Sequence, residues 1–335
     1  MKLLDRVLSC PKAELHLHIE GSLEPELAFA LAQRNHVDFP FNSVESLRAA
    51  YNFSNLQSFL DLYYACADVL RTEEDFHDLM LAYLRRAAAD GVVHAEIMFD
   101  PQTHTARGIS MATVINGLRA GIATARDESG ISVQLILSFL RHLSEEDAFA
   151  TLKLAEPHLA HVAAFGLDSS EMGHPPSKFE RVFKACRDLG KPVVAHAGEE
   201  GPPAYIIEAL DLLQVSRIDH GVRCVEDKAL VQRLAATQRP LTVCPLSNVR
   251  LCVFKEMARH TLPAMLDAGL CVTLNSDDPA YFGGYLGNNL RAVQAAFNFD
   301  APTWARIFRN SFNASFISAE QKAEWCAKVD AHLPG

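Results

Sequence analysis

The chain lacks a Cys-x-x-Cys pair, a run of 18 apolar residues and any surplus of positive charge. Its eight scattered cysteines therefore form neither a thiolate zinc site nor the staples of a small secreted domain, and they fit a reducing compartment. Without a long apolar run there is no membrane helix. Asp5 and Arg6 inside the first ten residues do not fit the apolar segment of a secretory leader, so the cytoplasm is the expected location. A formal net charge of -10 with no basic patch argues against nucleic acid or an anionic membrane surface as partner. Gly-x-Gly-x-x-Gly, phosphate-loop and Gly-x-Ser-x-Gly motifs are absent as well, which removes the common nucleotide folds and the serine hydrolase elbow. His94-Ala95-Glu96 matches half of the signature of the small zinc nucleobase deaminases, but no Pro-Cys-x-x-Cys follows, so it reads as strand sequence.

What remains is an ordinary globular composition, 49% hydrophobic and 21% charged over 335 residues, with mean hydropathy +0.03. Short β-rich runs recur at Ala13 to Ile19, Val92 to Phe99, Val133 to Phe139, His161 to Asp168, Pro192 to Ala197, Arg217 to Gly221, Leu241 to Cys244 and Leu270 to Asn275. Amphipathic stretches such as Glu145 to Ala160, Lys178 to Leu189, Tyr205 to Leu213 and Asp227 to Ala236 separate the later ones. Glycines at 91, 130, 190 and 269 stand where helices should stop, and Thr72 with Asp75 and Ser144 with Asp147 carry capping spacing. Alternation of this kind predicts an α/β protein, a parallel (β/α)8 TIM barrel.

The pattern is interrupted between about residues 20 and 90, where several helical stretches separate the first two strands. One domain, residues 1–335, with a helical insertion over the carboxyl face of the barrel is the expected organisation. Such an insertion is placed to act as a lid. Phe59, Leu60, Leu62, Tyr63 and Tyr64 in it would either cap an apolar ligand or simply form helix core.

Four strand ends carry ionisable residues: His16-Leu17-His18, His196-Ala197-Gly198-Glu199, Asp219-His220-Gly221 and Asn275-Ser276-Asp277-Asp278-Pro279. Histidines at i and i+2 of a strand share one face, so His16 and His18 can reach one ion. Each motif alone also has a plain structural reading, as a satisfied core histidine or a helix cap. Together they converge on one mouth of a barrel, and three imidazoles with one carboxylate match a catalytic zinc site that keeps a position open.

These segments, with Pro11 to Ser22, resemble the adenosine and adenine deaminase family of metal-dependent amidohydrolases, from about Cys10 to Asn313. Ile19 to Glu24, Glu199 to Pro203 and Ala280 to Tyr285 resemble the members that act on the free base. The resemblance implies one zinc, or iron or manganese, on His16, His18, His196 and Asp277, holding a water of lowered pKa. It implies that His220 orients that water and takes its proton, and that Glu199 protonates the ring nitrogen beside the amine-bearing carbon. Asp278 would accept a hydrogen bond from the imidazole part of a purine, and the Gly166 N–H would serve its far pyrimidine nitrogen. Strand four ends without the lysine that bridges two metals in many relatives, so one metal is expected. Glu20 stands where adenosine deaminases have an aspartate facing the ribose. A longer carboxylate there would leave less room for a sugar or would instead support His18. The expected reaction is hydrolytic deamination of adenine to hypoxanthine and ammonia. The alternatives are adenosine or an N6-substituted adenine as substrate, and a metal- or purine-binding protein without turnover.

Overall fold

In the computed structural model, which describes residues 2–334, eight short parallel strands stand in a ring. They are β1 (Lys12–Glu14), β2 (Val92–Phe99), β3 (Ser132–Leu140), β4 (Ala164–Asp168), β5 (Val194–Ala197), β6 (Arg217–His220), β7 (Leu241–Val243) and β8 (Val272–Leu274). Two four-stranded sheets run in the orders β1-β2-β3-β4 and β5-β6-β7-β8. A parallel bridge from Phe165 to Val193 joins them on one side. On the other side Leu17 pairs with Asp277; the His18 N–H donates to the Asp277 carbonyl at 3.0 Å and the Asp277 N–H to that of His16 at 3.1 Å. The sheet closes on itself, and the fold is the expected TIM barrel.

The first strand is shorter than the apolar run around it. Its ladder shifts register between Lys12 and Ala13 and then resumes as isolated bridges at Leu17 and His18. The expected fourth strand also begins late, because residues Glu156–His161 wind into a 3-10 turn. Inside the ring Met98, Ile136, Ala164 and Val194 pack together against Phe316, so the barrel holds side chains and is no pore.

Local chemistry sets the helix ends. Thr72 and Ser144 cap their helices through the N–H groups of Asp75 and Asp147, with the aspartates reaching back as capping boxes. Gly130 ends the helix Met111–Ser129 at φ +75, a backbone only glycine adopts without strain, and its N–H bonds the Arg126 carbonyl at 2.8 Å.

The insertion after β1 folds into the helices Pro25–Arg34, Val44–Ala49, Leu56–Ala67 and Glu73–Ala89. Helix Leu56–Ala67 lies over the carboxyl ends of the strands, where the Glu200 carboxylate accepts the Leu56 N–H at 3.0 Å. Among the described residues no helix is long and apolar enough to cross a membrane, and no disulfide forms.

Candidate active site

The seam that closes the barrel also assembles the polar centre. Because the His16 carbonyl and the His18 N–H both hydrogen-bond the Asp277 backbone, three chemistry-bearing side chains arrive side by side, and β5 delivers His196 beside them. His196 Nε2 lies 3.1 Å from His16 Nε2 and 3.1 Å from His18 Nε2. Asp277 Oδ1 lies 3.2 Å from His16 Nε2 and 3.5 Å from His18 Nε2.

The outer ring nitrogens show which inner ones carry lone pairs. His16 Nδ1 faces the Thr242 carbonyl at 3.2 Å and its hydroxyl at 2.9 Å, and His196 Nδ1 faces the Leu167 carbonyl at 3.1 Å. Carbonyls only accept, so the hydrogen sits on Nδ1 and each Nε2 turns a lone pair inward. His18 Nδ1 is similarly directed at Asp168 Oδ2, 3.5 Å away. Lone pairs converging at 3.1 Å beside a carboxylate repel unless a cation lies among them, and the outer partners are those that orient metal-ligating imidazoles. The donor set therefore fits a divalent ion. Burial lowers His18 to about 4, and burial with the charges of His16 and His18 takes His196 well below the usual imidazole range, so both stay neutral and free to ligate.

His220 and Glu199 stand next to this centre, His220 Nε2 being 3.6 Å from Glu199 Oε1 and 3.7 Å from Asp277 Oδ2. Glu199 is 3% exposed, and its Oε1 has no hydrogen-bond partner among the described residues. Burial, and after it the charges of Asp277 and Glu171, raise this carboxyl well above the usual range and favour its protonated form. Three site residues hold a left-handed backbone without being glycine: Ser169 at φ +74, His220 at +64 and Asp277 at +66. Such positions cost on the order of 1–3 kcal/mol each and persist where surrounding structure enforces them.

A fixed chain of hydrogen bonds sets the His220 tautomer. The Leu262 N–H donates to His260 Nδ1 at 2.9 Å, which leaves the hydrogen on His260 Nε2 to donate to Asn248 Oδ1 at 3.1 Å. The Asn248 amide then turns its N–H to His220 Nδ1, a long contact of 3.4 Å. His220 accordingly carries its hydrogen on Nε2, toward the site. An Nε2–H can orient a water, but this nitrogen has no lone pair with which to take the proton that the sequence reading assigned to it. Burial lowers His220 to about 3, in keeping with a neutral ring.

Two expectations need correction. Gly166 lies inside β4, paired with Ser138, and does not line the cavity; a side chain there would meet Ser138 Oγ at 2.6 Å, so its glycine serves strand packing. Glu20 also stands behind the wall. Its Oε1 accepts from His104 Nε2 at 2.8 Å and the Asp100 N–H at 3.2 Å, and the Tyr63 hydroxyl approaches Oε2 at 3.4 Å. Tyr63, Asp100 and Asp168 line the cavity instead, together with Leu56, Phe59 and Tyr64 of the helix Leu56–Ala67.

The adenosine deaminase family profile matches residues 11–332. The chain belongs to the adenosine deaminase family. It is 57% identical to an adenine deaminase of Acinetobacter baylyi over 97% of this chain and 98% of that one. It is 59% identical to one of Cupriavidus pinatubonensis over 98% and 93%. Among solved structures, the adenine deaminase of Arthrobacter aurescens superposes with a TM-score of 0.95 at 52% identity, covering 97% of this chain and all of that one. An amidohydrolase of Burkholderia ambifaria with bound Zn superposes with a TM-score of 0.90 at 27% identity, covering 99% and 94%. Membership of this family implies a divalent metal, and the His/Asp cluster is where this chain offers to hold one.

Proposed function

We propose that this protein is a zinc-dependent adenine aminohydrolase, converting adenine and water to hypoxanthine and ammonia in the cytoplasm. The observation that carries the reading is a buried Glu199 with a free oxygen beside four converging ligand atoms, in a chain 57–59% identical to adenine deaminases. A purely structural metal site has no use for that acid.

His16, His18, His196 and Asp277 would hold the ion. Bound there, it supplies Lewis acidity that makes water nucleophilic near neutral pH. Glu199 delivers the proton on its carboxyl to N1 of the ring, drawing electrons from the neighbouring carbon and preparing it for attack. His220 directs its Nε2–H at the incoming water and holds it on the side of the ring that Asp277 faces. Asp278 Oδ1, buried and without a partner among the described residues, binds the imidazole part of the purine. The helical segment at about 20–90 acts as the lid that excludes bulk water.

Ammonia release from adenine, adenosine and N6-alkyl adenines, with metal analysis of the same sample, tests the reading. Adenine should have the highest kcat/KM, with zinc at one equivalent. A preference for adenosine would defeat the free-base assignment, and no release from any of them would leave only a binding protein.

A further inference from the structure

Of two further buried carboxyl groups, Asp100 has no role in the chemistry described so far, and Asp168 has entered it only as the neighbour of His18 Nδ1. Asp100, at the end of β2, is 3% exposed, and Asp168, at the end of β4, is 1% exposed; both line the cavity. The Tyr63 hydroxyl donates to Asp100 Oδ2 at 3.1 Å, leaving Oδ1 without a partner among the described residues. Neither oxygen of Asp168 has a hydrogen-bond partner there either, although His18 Nδ1 stands 3.5 Å from Oδ2. Buried acceptors left unmatched in a cavity call for a donor on the ligand.

The ring of strands says where on the ligand that donor must be. In an eight-stranded barrel, strands four apart are diametrically opposed, so Asp100 on β2 faces the His220 strand and Asp168 on β4 faces the Asp277–Asp278 end of β8. A purine whose N1 meets Glu199 and whose N7 lone pair accepts a hydrogen bond from the buried Asp278 carboxyl, instead of donating to it as the sequence suggested, turns its remaining edge, N3 and N9, toward β2 and β4. In a free base N9 carries a hydrogen; in a nucleoside it carries the sugar.

We propose that Asp100, with Asp168 beside it, accepts the N9 hydrogen of an unsubstituted purine and thereby selects the free base over the nucleoside. The inference rests on the deaminase reading above and deepens it. It also reassigns discrimination from Glu20, whose carboxylate is bound to His104, Tyr63 and the Asp100 N–H and so supports the Asp100 wall from behind.

The test compares kcat/KM for adenine and for 9-methyladenine, which lacks the N9 hydrogen, in the wild-type holoenzyme and in D100A, D100N and Y63F, with metal content measured for each. In D100A the adenine value should fall roughly 10- to 100-fold, as for a buried donor left without its hydrogen-bond partner, while the 9-methyladenine value stays within about threefold and the ratio collapses. D100N keeps a carbonyl acceptor and should recover part of the ratio. Y63F loosens Asp100 without removing it and should shift the ratio less, in the same direction. Equal losses on both substrates, an unchanged ratio, or a metal content that falls with D100A would overturn the assignment; the last would make the pair a metal-holding element. Wild-type enzyme inactive on adenine would instead refute the deaminase reading itself, and this inference with it.

Discussion

Glu171 holds Glu199 in place through the backbone. Its Oε2 accepts the Glu199 N–H at 3.1 Å, the Glu200 N–H at 2.8 Å and the Gly201 N–H at 2.7 Å, while Oε1 takes the Gly198 N–H at 2.6 Å. One buried carboxylate thus fixes the whole turn that carries the acid.

The first prediction follows from that turn. E171Q replaces two charged acceptors by one neutral acceptor and a donor, so it should lower kcat on adenine about 10- to 100-fold while the metal stays bound. Steady-state kinetics with metal analysis check this. An unchanged kcat would show that the turn holds its shape without the carboxylate.

Glu199 itself should obey the rule for a general acid. E199Q should keep one equivalent of metal and lose roughly 10²- to 10⁴-fold in kcat. Since the reaction needs the protonated form and the folded protein raises this group's pKa, kcat/KM should hold at neutral pH and decline as pH rises through that raised value. A pH profile with no alkaline decline would contradict the role.

The hydrogen-bond chain from Leu262 gives a third. N248D would turn an acceptor toward His220 Nδ1, move the hydrogen there and bare the Nε2 lone pair. If His220 orients water through Nε2–H, activity falls about 10- to 100-fold; kcat equal to wild type or higher would mean that His220 works as a base.

The fourth concerns stability. Arg217 Nη1 lies 2.6 Å from Glu96 Oε2, both fully buried; burial is the largest influence and pushes the Glu96 carboxyl up, but the guanidinium, His94 and the Phe316 N–H together hold its pKa below the usual range. A carboxylate lowered in the folded state contributes stability that is complete above the unfolded pKa, near 4.5, and is lost as pH falls through the folded value. E96A strands the buried guanidinium and should cost about 3–5 kcal/mol in denaturant unfolding at pH 7. A cost below about 1 kcal/mol would show that the pair is dispensable.

The metal centre was legible because strand periodicity alone puts His16 and His18 on one face, and because ionisable residues end strands that must converge. The same rule applied to Asp100 and Asp168 would have found them, but Asp100 precedes Pro101 and reads equally well as a helix start. Gly166 was assigned a substrate contact from the family resemblance alone, and only the strand register shows it packed on Ser138 inside the sheet. Glu171 stands in a segment, Gly166 to Glu171, that resembles the free-base members, but no contact could be assigned to it from sequence because its four backbone partners lie 27 to 30 residues further along the chain. The lid aromatics kept two readings until the fold showed Phe59, Tyr63 and Tyr64 on the cavity wall, whereas Leu62 does not line it.

The central claim is that three imidazoles and Asp277 hold one ion on which deamination depends. The most direct measurement is ammonia release from adenine by chelator-stripped protein as zinc is added back. The account predicts negligible turnover without metal and a linear rise to a plateau at one equivalent per chain, abolished in H196A. Full activity in the stripped protein, or a rise that continues to two equivalents, would contradict it.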